Sequence, residues 1–171
     1  VGLVGLGSIG EEVARRLSGF GPEVLYTARR RRDEATEARL GARYAPLDEL
    51  LRRSDIVSLH TPLTDETRHL IGPAELAAMK PGALLVNTSR GGLVDEAALR
   101  AAIESGHLGG AALDVLADES ANPFADLASV VVTPHLAGVS NRSLPRAVQM
   151  TVTNIERCLR GEGPEHPVPG T

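Results

Sequence analysis

Three charged residues, each placed shortly after an apolar segment, have the side chains needed to act on a keto acid. They are Arg90 after "ALLVN", Glu119 after "GAALDV" and His135 at the end of "SVVVTPH". An arginine fork binds a carboxylate and a neighbouring carbonyl, and an imidazole supplies a proton near neutral pH. A carboxylate hydrogen-bonded to that imidazole favours its protonated form. These residue types predict a reduction in which His135 is the acid, although a lone histidine after a strand more often has a structural role.

A glycine motif stands close to the start of the chain. Gly5, Gly7 and Gly10 form the pattern G-x-G-x-x-G between the apolar segment "VGLVGL" and an amphipathic helical pattern. Between a strand and a helix, such glycines permit a tight turn and a close approach of backbone to pyrophosphate, which the helix N-terminus attracts. The motif therefore predicts a dinucleotide site rather than an ordinary glycine-rich turn.

A run of four arginines, Arg29–Arg32, follows the segment "EVLY" in a chain whose formal net charge is −4. About 20 residues after the glycine motif, dinucleotide-binding folds place a carboxylate that binds the ribose hydroxyls of NAD. Ala28 stands at that position in this chain. Because guanidinium groups bind phosphate in a bidentate manner, we predict that Arg29 and Arg30 hold the 2′-phosphate of NADP.

Other interpretations of this turn stay open. Arg31 and Arg32 are expected on the solvated start of the next helix, and the whole run could be a solvated basic turn without a cofactor role. Asp33 or Glu34 could also fold back toward the ribose, in which case NAD would be the cofactor.

The apolar segments that must position these residues alternate with segments of helical period along the chain. Such alternation predicts an α/β fold of the Rossmann type, a doubly wound parallel sheet with helices on both faces in three layers. We expect strands at 1–6, 23–26, 42–45, 55–60, 83–87, 110–115 and 129–135. We expect helices through Val13 and Leu17, at 33–40, around Leu50, from an N-cap at Asp95 to Gly106, and over 142–160.

Ligands of open parallel sheets bind beyond the carboxyl ends of the strands, where the glycine motif and all three charged candidates fall. That shared edge favours the catalytic role of His135 over the structural one. The other histidines are expected to be structural: His60, His69, His107 and His166. For His60, the alternative is that it lines the cofactor crevice.

Composition excludes several classes of function. The length suits one globular domain, residues 1–171. Aromatic residues make up only 2% and tryptophan is absent, so base-stacking platforms for nucleic acid are not expected. No apolar run approaches the about 18 residues of a membrane span, and the single cysteine, Cys158, is expected to be a small buried hydrophobe. Val1 opens directly on an apolar strand, so we expect an excised domain of a longer protein.

Five segments of the chain, in order and spacing, resemble the nucleotide-binding domain of the D-isomer-specific 2-hydroxyacid dehydrogenases. They are "VGLVGLGSIG", "SDIVSLHTPLTDETRHLI", "MKPGALLVNTSRGGLVDEAAL", "GHLGGAALDV" and "VVVTPHLAG". That family includes glyoxylate/hydroxypyruvate reductases and phosphoglycerate dehydrogenases. The turn "YTAR" is similar to that of the NADP-preferring reductases of the family.

The resemblance implies a role for each matching residue. Arg90 would bind the substrate carboxylate and carbonyl, His135 would be the general acid/base, and Glu119 would be its partner. Ser8 and Ile9 would contact the pyrophosphate, and Asp114 would hold the nicotinamide carboxamide. Thr61, Pro62 and Thr67 would line the adenosine side of the site. Thr88 and Ser89 would lie along the cofactor, and Gly138 is also expected to bind it.

The resemblance also implies a flavodoxin-like substrate domain, absent from this chain, that supplies the other wall of the active site. The isolated domain should then bind cofactor but turn over poorly, because one wall can neither exclude water nor orient the reactants. A cytoplasmic homodimer without a metal is implied, with NADP or, failing that, NAD as cofactor. The alternative function is a non-catalytic dinucleotide sensor of the same fold, as in related corepressors. A methyltransferase is a weaker alternative, because "NTSRGG" and "TPH" have no role in one.

Overall fold

The structure is a computed structural model that describes residues 1–165 and 167. It falls into two compact units, Val1–His135 and Leu136–Thr171. Seven strands in the first unit each overlap one of the predicted segments: β1 Gly2–Val4, β2 Val24–Thr27, β3 Ala42–Tyr44, β4 Ile56–Leu59, β5 Leu84–Asn87, β6 Gly110–Leu113 and β7 Val130–Val132. The helices are α1 Ser8–Leu17, α2 Glu34–Leu40, α3 Leu47–Arg53, α4 Pro73–Ala78 and α5 Glu96–Glu104, and α6 Ser143–Leu159 in the second unit.

The seven strands form one parallel sheet in the order β3-β2-β1-β4-β5-β6-β7. The order reverses beside β1, which is the topological switch point where open α/β sheets bind ligands. The predicted Rossmann-type sheet is therefore confirmed, and the glycine motif follows the strand at its switch point.

Each face of the sheet carries its own apolar core, because alternate residues of a strand point to opposite faces. On one face, Leu3 and Tyr26 pack with Ala14 of α1 and Leu40 of α2. On the other face, Leu85 lies in a larger cluster that includes residues of α3, α4 and α5: Leu50, Leu76 and Leu99. Two cores on opposite faces confirm the predicted three-layer arrangement.

The helix starts follow local chemistry. The carboxylate of Asp95 accepts from the backbone N–H of Ala98 at 3.0 Å, which confirms the predicted N-cap. The short helix α4 was not predicted. It begins with Pro73 at the first helical position, and the Glu75 carboxylate accepts from the Gly72 N–H at 3.1 Å. These are local signals of a helix start, but a helix of six residues is too short to show a helical period.

The second unit contains the predicted closing helix, α6. The Ser143 hydroxyl at its start accepts from the Ser140 N–H at 2.7 Å and donates to the Gly138 carbonyl at 2.9 Å. Cys158 is exposed on this helix, so the expectation of a buried cysteine was wrong. Large apolar side chains of this helix are exposed as well, from 43% for Val152 to 84% for Leu159, so the apolar pattern does not mark a buried face. No helix in the described part of the chain combines the length and apolar character needed to cross a membrane.

Candidate cofactor and active site

The three motif glycines meet different surroundings. Gly5 has φ +104°, and a Cβ there would lie 2.5 Å from the His60 carbonyl oxygen. A Cβ on Gly10 would lie 2.4 Å from the Gly5 carbonyl oxygen, so both positions require glycine for the chain itself to pack. Gly7 has no atom within 4 Å of the place that a Cβ would occupy. The loop thus offers open backbone at the helix start, which fits a dinucleotide pyrophosphate.

The other predicted pyrophosphate contacts occupy the first turn of α1. Ser8 begins the helix, and Ile9 is 67% exposed. An exposed isoleucine on a helix that otherwise packs against the sheet is free to contact a ligand.

A cleft of about 540 Å³ lies beyond the carboxyl ends of β1, β2 and β4. The apolar side chains of Leu47 and Leu70 contribute to its wall, which suits a flat aromatic base. The Thr67 hydroxyl donates to the Pro62 carbonyl and accepts from the Thr64 N–H, both at 2.7 Å, so hydrogen bonds within the loop hold that wall together. Five predicted cofactor residues line this cleft: Gly5, Arg29, Thr61, Pro62 and Thr67.

Two of the four consecutive arginines are held by the protein. Arg31 donates through two nitrogens to both carboxylate oxygens of Glu37, each at 2.8 Å, and lies over the Tyr44 ring at 5.9 Å. The bonds from Arg31 and then from the Tyr26 hydroxyl lower the pKa of Glu37 to about 2. Arg32 reaches back to the glycine loop. Both residues are exposed, as expected, but they stand before the N-cap Asp33 and therefore outside α2.

The other two arginines differ from this pair. Arg29 and Arg30 are exposed and make no hydrogen bond or ion pair with a protein group in residues 1–165 and 167. Only Arg29 lines the cleft. Glu66 lies in the same wall, where its pKa is lowered first by the Thr64 hydroxyl and more weakly by the charge of Arg29.

Asp33 does not reach toward the cleft. Its two carboxylate oxygens accept from the backbone N–H and the hydroxyl of Thr36 at 2.8 and 3.0 Å, which makes Asp33 the N-cap of α2. These bonds lower the pKa of Asp33, the backbone bond most strongly. The alternative in which Asp33 binds the ribose therefore requires the cap to break.

Arg90 follows β5 on a loop that a buried asparagine organises. The Asn87 side chain donates to the Arg90 carbonyl at 2.9 Å and accepts from the Ser89 N–H at 3.0 Å. The Ser89 hydroxyl donates to the Leu59 carbonyl at 2.7 Å, and Thr88 is exposed. The Arg90 guanidinium donates to the Ser89 carbonyl at 2.6 Å and pairs with no carboxylate among the described residues. It is therefore available to an anionic ligand.

Backbone hydrogen bonds join the ends of the last three strands. The Asp114 N–H donates to the Asn87 carbonyl, and the His135 N–H donates to the Asp114 carbonyl, both at 2.9 Å. The Asp114 carboxylate is buried and accepts from the Thr133 hydroxyl. The segments that carry Arg90, Asp114 and His135 therefore lie side by side at one edge of the sheet.

His135 and Glu119 form a hydrogen-bonded pair. Nδ1 of His135 lies 2.8 Å from Oε1 of Glu119, and both side chains are about half exposed beside a cavity of about 310 Å³. With Nδ1 engaged, Nε2 is the ring nitrogen left for a ligand. His135 also has φ +54°, a conformation that is uncommon for a residue with a side chain and clusters at functional sites.

The loop that carries Glu119 is fixed to α5. Glu96 accepts from the Ala117 N–H at 2.6 Å, and Arg100 donates to the Asp126 carboxylate at 2.8 Å. Phe124 is buried between these anchors, with 1% of its surface exposed. The bonds from Arg100 lower the pKa of Asp126 to about 2. None of these anchors was predicted, because they join residues that are distant in sequence.

The remaining candidates lie away from this pair. The His60 side chain is not among the residues that line the cleft. Its Nε2 lies 3.0 Å from the Ser58 hydroxyl, and burial lowers its pKa. The His107 ring bonds the Leu76 carbonyl at 3.1 Å, a structural contact as predicted. Gly138 belongs to the second unit, and His166 lies outside the described residues.

Sequence reasoning overlooked three residues that organise this edge. Asn87 and Thr133 carried a usable signal, because each is a polar residue at the end of an otherwise apolar strand. Arg32 was considered only as part of the arginine run. Within the described part of the chain, no group of three or more His, Cys, Asp or Glu side chains is placed to hold a metal ion.

Residues 1–137 match the family model described as "D-isomer specific 2-hydroxyacid dehydrogenase, NAD binding domain". The chain is 46% identical to a glyoxylate reductase of Korarchaeum cryptofilum, over 96% of this chain and 50% of that protein. It is 45% identical to a D-3-phosphoglycerate dehydrogenase of Mycobacterium bovis, over 95% of this chain and 31% of that protein.

A solved structure shares the fold. The holo form of D-mandelate dehydrogenase from Rhodotorula graminis superposes with a TM-score of 0.93 at 39% identity, covering 99% of this chain and 51% of that one. The chain thus spans about half the length of the first curated relatives that it matches.

Proposed function

The chain belongs to the D-isomer-specific 2-hydroxyacid dehydrogenase family, whose NAD-binding domain it matches, and from this we propose that its full protein reduces a small 2-keto acid with NADPH. The substrate that we favour resembles glyoxylate or hydroxypyruvate, since the glyoxylate reductase of Korarchaeum cryptofilum is 46% identical to the chain. The observation that carries the catalytic proposal is the 2.8 Å hydrogen bond between His135 and Glu119, with Arg90 unpaired on the same edge.

Each of these side chains has a distinct task in the proposed reaction. Arg90 binds the substrate carboxylate and polarises the carbonyl through its remaining N–H groups. Nε2 of His135 donates a proton to the carbonyl oxygen as that oxygen gains charge. Glu119 accepts from Nδ1–H, which fixes the ring orientation and leaves Nε2 for the substrate. When bound, the nicotinamide supplies the hydride for the carbonyl carbon.

The cofactor residues fit the same reaction. The open backbone at Gly7 and the first turn of α1 would hold the pyrophosphate, and the cleft beside Thr61 would hold the adenosine. We propose that Asp114 binds the carboxamide, and that Thr88 and Ser89 lie along the cofactor. Gly138 remains a proposed cofactor contact.

NADPH rather than NADH is the finer part of the proposal. It is supported by two exposed guanidinium groups, Arg29 and Arg30, that form no ion pair with a carboxylate among the described residues. It is also supported by the capping role of Asp33, which engages that carboxylate at the start of α2. A 2′-phosphate bound at the cleft would meet the positive charge of Arg29, which lines it.

The whole protein carries further proposals. We propose a second, flavodoxin-like domain that closes the cleft over the substrate, so that residues 1–171 alone bind cofactor but turn over slowly. We also propose that the full protein is a cytoplasmic homodimer.

The experiment is a steady-state assay of the full-length protein with glyoxylate, hydroxypyruvate and pyruvate, each with NADPH and with NADH. Oxidation of NADPH with at least one of these keto acids is expected. No oxidation of either nucleotide with any of them, in a protein that binds NADPH, would favour a dinucleotide sensor instead.

A further inference from the structure

One side chain joins the arginine turn to the glycine loop. Nε and Nη2 of Arg32 both donate to the Leu6 carbonyl oxygen, at 3.0 and 2.6 Å, across a sequence separation of 26 residues. The same guanidinium lies 3.0 Å from the Glu11 carboxylate in the first turn of α1. The backbone N–H of Arg32 donates to the buried Tyr26 hydroxyl at 2.8 Å. Arg32 is therefore anchored at its backbone to β2 and at its side chain to the glycine loop.

The bond to Leu6 constrains the next amide. The Leu6 carbonyl and the Gly7 N–H belong to one peptide unit, and in a trans peptide these groups point in opposite directions. No cis peptide occurs in the described residues. Because Arg32 holds the carbonyl on its own side, the Gly7 N–H points away from Arg32. A Cβ built on Gly7 would have no heavy atom within 4 Å, so the backbone of this residue is accessible.

A carbonyl of the glycine loop would otherwise be free to turn toward a bound pyrophosphate and repel it. Two donors of Arg32 on the Leu6 oxygen oppose such a rotation, and the guanidinium itself pairs with Glu11. A second arginine, Arg39, also contacts Glu11, at 3.3 Å, and has no bond to Leu6. Arg32 and Arg39 therefore offer a matched comparison, because both contact Glu11 but only Arg32 also bonds the Leu6 carbonyl.

We propose that Arg32 is a positioning residue for the dinucleotide, one that holds the Leu6–Gly7 peptide so that the Gly7 N–H faces the pyrophosphate. Arg32 thus affects the binding of the pyrophosphate, which NADH and NADPH share. Arg29 and Arg30 instead act on the 2′-phosphate, which only NADPH carries. The inference rests on the proposed function only in requiring that the chain binds a nicotinamide dinucleotide.

The test is a titration of the chain and of its Arg32→Gln and Arg39→Gln variants with NADH and with NADPH. Loss of a charge-assisted hydrogen bond at a half-exposed site is expected to raise both dissociation constants by about five- to tenfold in Arg32→Gln, with their ratio unchanged. Arg39→Gln is expected to bind both nucleotides as the parent chain does. In amide NMR spectra, the Gly7 resonance should shift in Arg32→Gln and stay in place in Arg39→Gln.

Two results would overturn the proposal. Loss confined to NADPH would make Arg32 a direct ligand of the 2′-phosphate, and unchanged binding of both nucleotides would make its bond to Leu6 irrelevant. If Arg32→Gln does not fold, Arg32→Lys keeps the charge without the two-donor fork and should show a smaller loss that is equal for both nucleotides. A parent chain that binds NADH and NADPH equally would refute the NADPH preference while leaving this comparison intact.

Discussion

Replacing Arg29 by Gln is expected to weaken the binding of NADPH and to leave the binding of NADH unchanged. Arg29 lines the cleft, is exposed, and has no ion pair with a carboxylate among the described residues. Glutamine keeps a polar donor of similar length and removes the charge. The substitution therefore isolates the attraction between the guanidinium and a 2′-phosphate.

The size of the effect follows from exposure. Two unit charges about 4 Å apart attract by about 1 kcal/mol in water and by about 4 kcal/mol at an effective dielectric constant of about 20. Hydrogen bonds to charged groups contribute about 1.5–3 kcal/mol. Because Arg29 is exposed, we take the low end of that range for its bond to the 2′-phosphate. We expect about 1.5 kcal/mol, which is about a tenfold loss of NADPH affinity. If Arg30 contributes equally, the double variant should lose about a hundredfold.

The assay is a pair of fluorescence titrations, NADPH against NADH, on the 171-residue chain at low and high salt. The advantage of NADPH should shrink with salt, because exposed charges are screened. Arg52→Gln is the matched control, since this exposed arginine pairs with Asp48 within α3. Unchanged NADPH affinity in the double variant, or an equal loss for NADH, would refute the reasoning.

Three further predictions concern the fold and its loops. Gly5→Ala should destabilise the chain by about 1–3 kcal/mol in denaturant unfolding, because φ is positive and the new Cβ meets a carbonyl. Gly7→Ala should fold normally, because its Cβ would meet no protein atom, and it should bind NADH less tightly. Leu85→Ala should lower the free energy of unfolding by about 2–5 kcal/mol, since the side chain is fully buried between β strands and helices. The pKa of Glu37 is lowered to about 2, chiefly by its bonds from Arg31. The stability that this pairing contributes is therefore present above about pH 4.5 and is lost as the pH falls toward 2. In acid unfolding experiments, Glu37→Gln should remove that part of the pH dependence.

Much of the fold could be predicted from the sequence, because its signals are local. Strand-length apolar runs alternate with helical periods, and Asp95 caps α5 as its position predicts. The helix α4 was missed because six residues are too few to show a helical period. Cys158 was misjudged because a helical position was assigned to the apolar side without a neighbouring element to confirm it.

The candidate site was predicted only in part. Residue types at strand ends pointed to Arg90, Glu119 and His135, and the fold brings the first and last onto joined strand ends. The supports of the site depend on tertiary contacts that no local pattern shows. The bond from Arg32 to Leu6 and the anchors of the Glu119 loop join residues more than twenty positions apart. Identical neighbours in the arginine run thus have different roles that only the folded chain separates.

The most direct test of the catalytic proposal is the His135→Ala variant of the full-length protein, assayed for turnover with glyoxylate and NADPH and for NADPH affinity. His107→Gln is its control, because among the described residues that side chain has one hydrogen bond, to the Leu76 carbonyl. We expect turnover to fall by about a hundredfold or more, as for the loss of a general acid, while the affinity for NADPH stays the same. Turnover equal to that of the parent protein would contradict the role of His135 and, with it, the proposed mechanism.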